Sequence, residues 1–261
     1  MKTDIPIAKQ AQLIQQMEAN LYHLYQRIAS VAGGMKESAS GVRSVNVPNL
    51  LWPRTLFDRP SEETDLAQIV AKIKEGQLPP FWIMCHRDNQ SLHRQLLEQG
   101  FRHMAQWPGM VLPLAKREAP VIDDSIEISQ LSEEAELRAW LALVNENLMK
   151  TTHLNFSLFQ KCLREIPNLR FYGLKLDGEM VSTGLTYWHK DILGIYMLST
   201  AKAHRRRGYT TLLLAHLLAV ARNNDCRYAC LQASADGQWV YPKLGFETIC
   251  HFDIYWLLGY R

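Results

Sequence analysis

The chain has 261 residues, 47% of them hydrophobic and 21% charged, with a formal net charge of +3. These are ordinary globular values, and the length suits one large or two small domains. The mild charge excludes the strong basic field of a nucleic-acid-binding protein. No run of 18 apolar residues occurs, which excludes a membrane-spanning helix.

The opening stretch MKTDIPIAKQAQLIQQ has no apolar core, so no secretory leader is expected. Five cysteines, Cys85, Cys162, Cys226, Cys230 and Cys250, form no CxxC pair. Reduced, buried thiols in a cytoplasmic protein are expected, with no metal site.

In chain order, residues 8–30 read as a helix, because Leu13, Ile14, Met17, Leu21, Leu24, Tyr25 and Ile28 recur at three- and four-residue steps. VAGGMKESASG punctuates the chain, and VRSVNVPNLLW reads as a short strand broken at Pro48. Residues 62–75 read as a helix capped by Ser61, with acidic Glu63 and Asp65 in its first turn. PPFWIMC is a strand, SLHRQLLEQG a helix ended by Gly100, and FRHMAQWPGMVLPL a longer strand. The polar segment at 115–124 divides the chain, so the expected domains are 1–118 and 119–261.

In the second half, residues 132–149 read as a helix capped by Ser132, and SLFQKCLREI as another that stops before Pro167. RFYGLKLDGEMVSTGLTYW reads as a hairpin turning at Asp177-Gly178, where a type I′ turn needs two positive φ angles. A strand ILGIYMLST, a loop AHRRRGYTT, a helix TLLLAHLLAVARNN and a strand YACLQAS follow. The chain then shows a short helix in GQWVYPKLG and a long strand FETICHFDIYWLL. LLEQGFRHMAQWPGMVLPL and PKLGFETICHFDIYWLLGY share a helix end, a Gly-Phe and a long strand. That echo suggests a duplicated unit. The seven tryptophans, Trp188, Trp239 and Trp256 among them, read as packing residues.

The loop between ILGIYMLST and its helix is where anion chemistry is expected. Backbone N–H groups are free at a helix N-terminus, the helix dipole adds positive charge, and Gly208 lets the backbone approach phosphate oxygens. Arginines there can add contacts to phosphate.

On these residues the chain resembles the GCN5-related N-acetyltransferase (GNAT) superfamily. RRRGYT resembles its (Gln/Arg)-x-x-Gly-x-(Gly/Ala) acyl-CoA signature. Arg205 and Gly208 match, and Thr210 departs from Gly or Ala, its hydroxyl free to donate to phosphate. SADGQWVYPKLGF resembles Asn-x-x-Ala-x-x-Leu-Tyr-x-x-x-Gly-Phe. Ser234, Gly237 and Val240 replace Asn, Ala and Leu, while Tyr241, Gly245 and Phe246 match. The resemblance covers about residues 125–261. It reaches the first half only through the Gly-Phe echo, as a degenerate copy that has lost cofactor binding and shapes the substrate cleft.

The resemblance implies an α/β fold with a mixed, mainly antiparallel splayed sheet flanked by helices, in two tandem GNAT-like units. The sheet would splay open between the strands ending near Thr200 and Ser234. It implies acetyl-CoA as acyl donor and an amine of a small molecule or peptide as acceptor. The backbone of Leu198, Ser199 and Thr200 would pair with the pantetheine arm. The N–H groups of Arg206, Arg207, Gly208, Tyr209, Thr210 and Thr211 would hold the pyrophosphate beside Arg205. Tyr241 would act as general acid on the CoA thiolate, and Ser234 would contact pantetheine or a water. Histone-type members carry a glutamate base eleven residues before the signature. Here that position is Gly194, which would open space in the cleft, with Tyr196 on the same face. Tyr187, His189, His153 or a water chain remain as bases. A non-catalytic acyl-CoA-binding regulatory module is the alternative.

Overall fold

A computed structural model describes residues 5–39, 42–47, 53–58, 65–85, 90–114, 120–149, 153–223, 226–235 and 237–260. One eleven-stranded sheet runs through both halves of the sequence. The first half supplies β1 (Met35–Ala39), β2 (Val42–Asn46), β3 (Thr55–Phe57), β4 (Phe81–Cys85) and β5 (Phe101–Pro113). The second supplies β6 (Ile126–Gln130), β7 (Leu169–Leu176), β8 (Glu179–His189), β9 (Ile192–Thr200), β10 (Tyr228–Gln232) and β11 (Glu247–Leu257). Their order across the sheet is β1-β2-β3-β4-β11-β5-β10-β9-β8-β7-β6. Only β3–β4 and β9–β10 pair in parallel; the other neighbours are antiparallel.

Read inward from the two edges, this order repeats itself. Each half lays down an antiparallel ladder and one parallel pair, and is then completed by the last strand of the other half. β5 pairs with β10, β11 pairs with β4, and the two exchanged strands pair with each other at the centre. The Gly-Phe echo is the sequence mark of this arrangement. Gly100 and Gly245 both take φ +92° where a helical turn ends, a left-handed angle that costs glycine little. The following Phe101 and Phe246 are both buried. The expected 118/119 division falls between β5 and β6, yet the hydrogen-bonded ladder is continuous across the exchanged pair.

Helices cover both faces of the sheet. α1 (Ile7–Val31) lies on one face with α4 (Glu134–Asn147) and α5 (Phe156–Glu165), while α2 (Leu66–Lys74), α3 (Gln90–Glu98) and α6 (Tyr209–Asn223) lie on the other. α1 presents Leu13, Met17, Leu21, Leu24 and Ile28 as one buried stripe. Its Leu13, Met17 and Leu21 pack with Ile83, Val111 and Phe252, while Leu24 and Ile28 pack with α4, α5 and β8. This helix of the first half therefore crosses the seam and roofs part of the second. α6 buries Leu213, Leu214, Leu217 and Leu218 against Met110, Leu112, Leu193 and Leu231.

Some local expectations change. Ser61 lies outside the described residues, and α2 is capped by Asp65, whose Oδ1 accepts from Ala67 N at 3.0 Å and Gln68 N at 3.1 Å. α4 begins after Glu133 instead of Ser132, because the Glu136 carboxylate accepts the N–H groups of both residues, at 3.1 and 3.3 Å. Strands β1, β3 and β6 add to those read from sequence. The hairpin stands as expected, with Asp177 at φ 49° and Gly178 at φ 84°. All five cysteines are buried thiols, none of them in a disulfide. Trp239 is 72% exposed and so is not a packing residue.

Candidate active site

The parallel pair β9–β10 holds together only from Tyr228↔Ile192 to Cys230↔Gly194. Beyond that point the two strands part, and the sheet opens. Across the opening, β9 carries a bulge. Leu185 pairs with Tyr196 and Thr183 with Ser199, so Met197 and Leu198 stand opposite Gly184 alone. Met197 is forced to φ 50°, a strained angle for a side-chain-bearing residue. The Thr183 hydroxyl donates to its carbonyl at 3.2 Å. Gly184 is required by close packing, since a Cβ there would sit 3.2 Å from Leu217 and 3.3 Å from Leu198.

The end of β9 leads into the arginine loop. Arg206 takes φ 62° and Gly208 φ 87°, and α6 starts at Tyr209. An alternation of left- and right-handed residues turns successive backbone N–H groups into a concavity suited to anions. Gly208 has no side chain with which to cap α6, and a Cβ there would meet nothing within 4 Å. The Arg205 guanidinium turns inward, donating to the Thr200 carbonyl at 3.2 Å and to Asn147 Oδ1 at 2.8 Å. It braces the loop against the end of α4, although Arg205, Arg206 and Arg207 are all exposed.

Thr210 is explained by a chain of hydroxyls. Ser182 donates to the Ser199 carbonyl at 2.9 Å, so its oxygen accepts from Thr200 at 2.9 Å. Thr200 in turn accepts from Thr210 at 2.7 Å. Each hydroxyl has one proton. The proton of Thr210 is therefore spent inward, and the expectation that this hydroxyl donates to phosphate is corrected. Its backbone N–H is the donor it has left for an anion. Ser199 keeps a buried hydroxyl without a protein partner.

On the far side of the opening, a 3₁₀ turn over Tyr241–Leu244 places Tyr241 at 8% exposure. Gly237 lies close against it, because a Cβ there would come within 3.0 Å of the Tyr241 hydroxyl and 3.3 Å of Ser234 Oγ. The Gly237 N–H donates to Ser234 Oγ at 3.2 Å. Burial pushes the Tyr241 phenol up to about 12.

Between these parts lies a cavity of about 210 Å³. Met197, Leu198, Ser234 and Tyr241 line it from the second half, and Leu21, Leu24, Tyr25 and Trp107 from the first. The space that Gly194 was expected to open is filled. A Cβ there would lie 2.2 Å from Asn20 Oδ1 and 2.5 Å from the Tyr196 ring. Asn20 is fully buried, and its amide donates to the carbonyls of Tyr187 at 3.2 Å and Ile192 at 3.3 Å. Its Oδ1 then accepts from the Tyr196 hydroxyl at 2.6 Å. A side chain from α1 thus occupies the position at which the resemblance to histone-type members would have placed a glutamate.

None of the three side chains offered as bases lines the cavity. The Tyr187 hydroxyl bonds His23 Nδ1, His189 stacks on His23 at 4.4 Å, and His153 is exposed. Burial, with Lys190 beside it, holds His189 below the usual histidine range. Asn20, Leu21, Tyr25 and Trp107 are the site residues that sequence reading missed. They belong to the first half, and no local signal marks which parts of α1 and β5 cross the seam. Among the described residues no group of His, Cys, Asp or Glu is arranged to hold a metal ion, and no helix is long and apolar enough to cross a membrane.

Comparison with known proteins agrees with this geometry. Residues 133–246 match the model of the acetyltransferase (GNAT) family. This GNAT-like domain covers less than half of the chain. The match spans the opening, the arginine loop, α6 and Tyr241, and it leaves out the first half. At the level of the whole fold, the chain is similar to a GCN5-related N-acetyltransferase from Kribbella flavida. The TM-score is 0.69 and the identity 16%, over 90% of this chain and 96% of that one. A GCN5-related N-acetyltransferase from Sphaerobacter thermophilus gives 0.61 and 14%, over 82% and 75%. A tandem GNAT protein from the clavulanic acid biosynthesis pathway gives 0.58 and 13%, over 82% and 77%. These likenesses show the fold that the two halves build together. No curated protein matches the chain in sequence.

Proposed function

We propose that the GNAT domain transfers an acetyl group from acetyl-CoA to an amine of a small molecule or peptide in the cytoplasm. One observation carries the reading. The parallel pair opens past Gly194 and Cys230, with the Gly208 loop and the α6 N-terminus at one end of the opening and Tyr241 at the other. The N–H groups of Arg206 to Thr211 would hold the pyrophosphate, with the exposed charges of Arg206 and Arg207 nearby. Leu198, Ser199 and Thr200 would run beside the pantetheine arm, and Ser234 would face it. Holding thioester and amine in one cleft supplies a large part of the rate.

The amine nitrogen bonds to the thioester carbonyl carbon, the carbon–sulfur bond breaks, and the ammonium proton leaves to solvent. Tyr241 would donate to the departing sulfur. Burial holds its phenol up at about 12, which disfavours outright transfer of its proton. Its role is therefore a hydrogen bond to the developing thiolate, which solvent then protonates.

The first half has the same topology without the same opening. Its counterpart of α6 is α2, whose leading N–H groups are already taken by Asp65. Beside β3 and β4, the Arg43–Asp58 pair and Phe57 leave a cavity of only about 10 Å³. One acetyl-CoA per chain follows.

The test is turnover by Tyr241→Phe. Release of free thiol should fall by about tenfold to a hundredfold, the scale of losing one hydrogen bond to a charged group, with acetyl-CoA affinity unchanged. Unchanged turnover would remove Tyr241 from the chemistry. Binding of acetyl-CoA without thiol release from any amine would favour the regulatory-module reading, to which the filled Gly194 position also points.

A further inference from the structure

The cavity at the opening also bears on what the acceptor is. Leu21, Leu24 and Trp107 form its wall from the first half, and Met149 and Ile195 from the GNAT domain. Among the described residues that line it, none is an aspartate, glutamate, lysine, arginine or histidine. An ammonium group brought here would lose its water and gain no carboxylate, at a cost of several kcal/mol. A polycationic acceptor is disfavoured on that ground. A neutral amine is favoured, and desolvation itself shifts an amine toward its neutral, nucleophilic form. A dedicated base is then unnecessary.

The direction of one hydrogen bond adds a polar handle. Asn20 donates both of its observed bonds to carbonyls, so its Oδ1 must accept, and the Tyr196 hydroxyl must be the donor. The Tyr196 proton is thus fixed toward Asn20. Its oxygen retains lone pairs, and Tyr196 lines the cavity. That oxygen can accept from an amine N–H but cannot give its proton to it. The cavity of about 210 Å³ must also hold the thioester end of acetyl-CoA beside Leu198, Ser234 and Tyr241, which leaves room for a small acceptor only.

We infer that the acceptor is a small monoamine carried on an apolar group, bound across the seam of the two halves with an amine N–H directed to the Tyr196 oxygen. The inference rests on the acetyltransferase reading and narrows it to a substrate class. The first half then serves as the acceptor wall of the GNAT domain.

The experiment uses the full chain. CoA binding is measured first by calorimetry, so that failure of the acetyltransferase reading shows as no CoA binding. The CoA-loaded protein is then titrated at pH 8 with 2-phenylethylamine and hexylamine, and in parallel with spermidine and kanamycin. The two monoamines should bind at least about tenfold more tightly than the polycations, a difference of about 1.4 kcal/mol, and acetyl-CoA consumption should follow the same order. Met149→Glu, which sets a carboxylate at the half-buried rim, should tighten spermidine by about tenfold. Tyr196→Phe should lower kcat/KM for the monoamines and leave acetyl-CoA affinity unchanged. Spermidine or kanamycin binding as tightly as the monoamines, or no monoamine binding to a protein that does bind CoA, would overturn the inference. An unaltered kcat/KM in Tyr196→Phe would overturn the assigned hydrogen bond.

Discussion

Gly194 shows how one residue's role depends on a partner far along the chain. As a sequence position it is only a missing glutamate. In the fold it is the place where Asn20 and the Tyr196 ring press against backbone. Gly194→Ala forces a Cβ to within 2.2 Å of a fully buried amide and should cost about 1–3 kcal/mol of stability, as overpacking of a tight core does. Urea denaturation checks it, and an unchanged midpoint would show that Asn20 moves freely. Tyr241 was singled out in the sequence only by its match to a family motif, whereas Gly208 was legible from its place before a helix, where its φ of 87° suits glycine. The reason for Thr210 was not, because its hydroxyl is spent on Thr200, at the other end of the loop.

At the scale of elements, apolar spacing marked α1, an acidic start marked α4, Pro167 marked the end of α5, an apolar run marked α6, and the Asp-Gly pair marked the β7–β8 turn. The short strands β1, β3 and β6 were not legible, since three to five residues carry little periodicity and form only beside a partner. The contrast between two helix starts matters most for function. α2 is capped by its own Asp65, whereas α6 begins behind a bare glycine at φ 87°. Gly208→Ala puts a Cβ on a left-handed residue, at about 1 kcal/mol or more of backbone strain. The loop should relax away from the anion-holding shape. Acetyl-CoA affinity should drop by about tenfold while the far-UV spectrum stays the same. Unaltered affinity would place the pyrophosphate elsewhere.

For the whole molecule, the exchanged strands bind the halves into one sheet. β5 and β11 pair with each other along most of their length and each completes the other half's ladder. The Gly-Phe echo revealed the duplication in the sequence. It could not reveal the exchange, because either half could have kept its own last strand with the same pattern. Thermal unfolding should show one transition with equal calorimetric and van't Hoff enthalpies, and two resolved transitions would mean that the halves are separate units.

The central claim is that the duplication left one acyl-CoA site per chain, at the β9–β10 opening. Calorimetric titration of the intact protein with acetyl-CoA tests this most directly. The account predicts saturable binding at one acetyl-CoA per chain, lost or weakened in Gly208→Ala. Two sites per chain, or no binding at all, would contradict it.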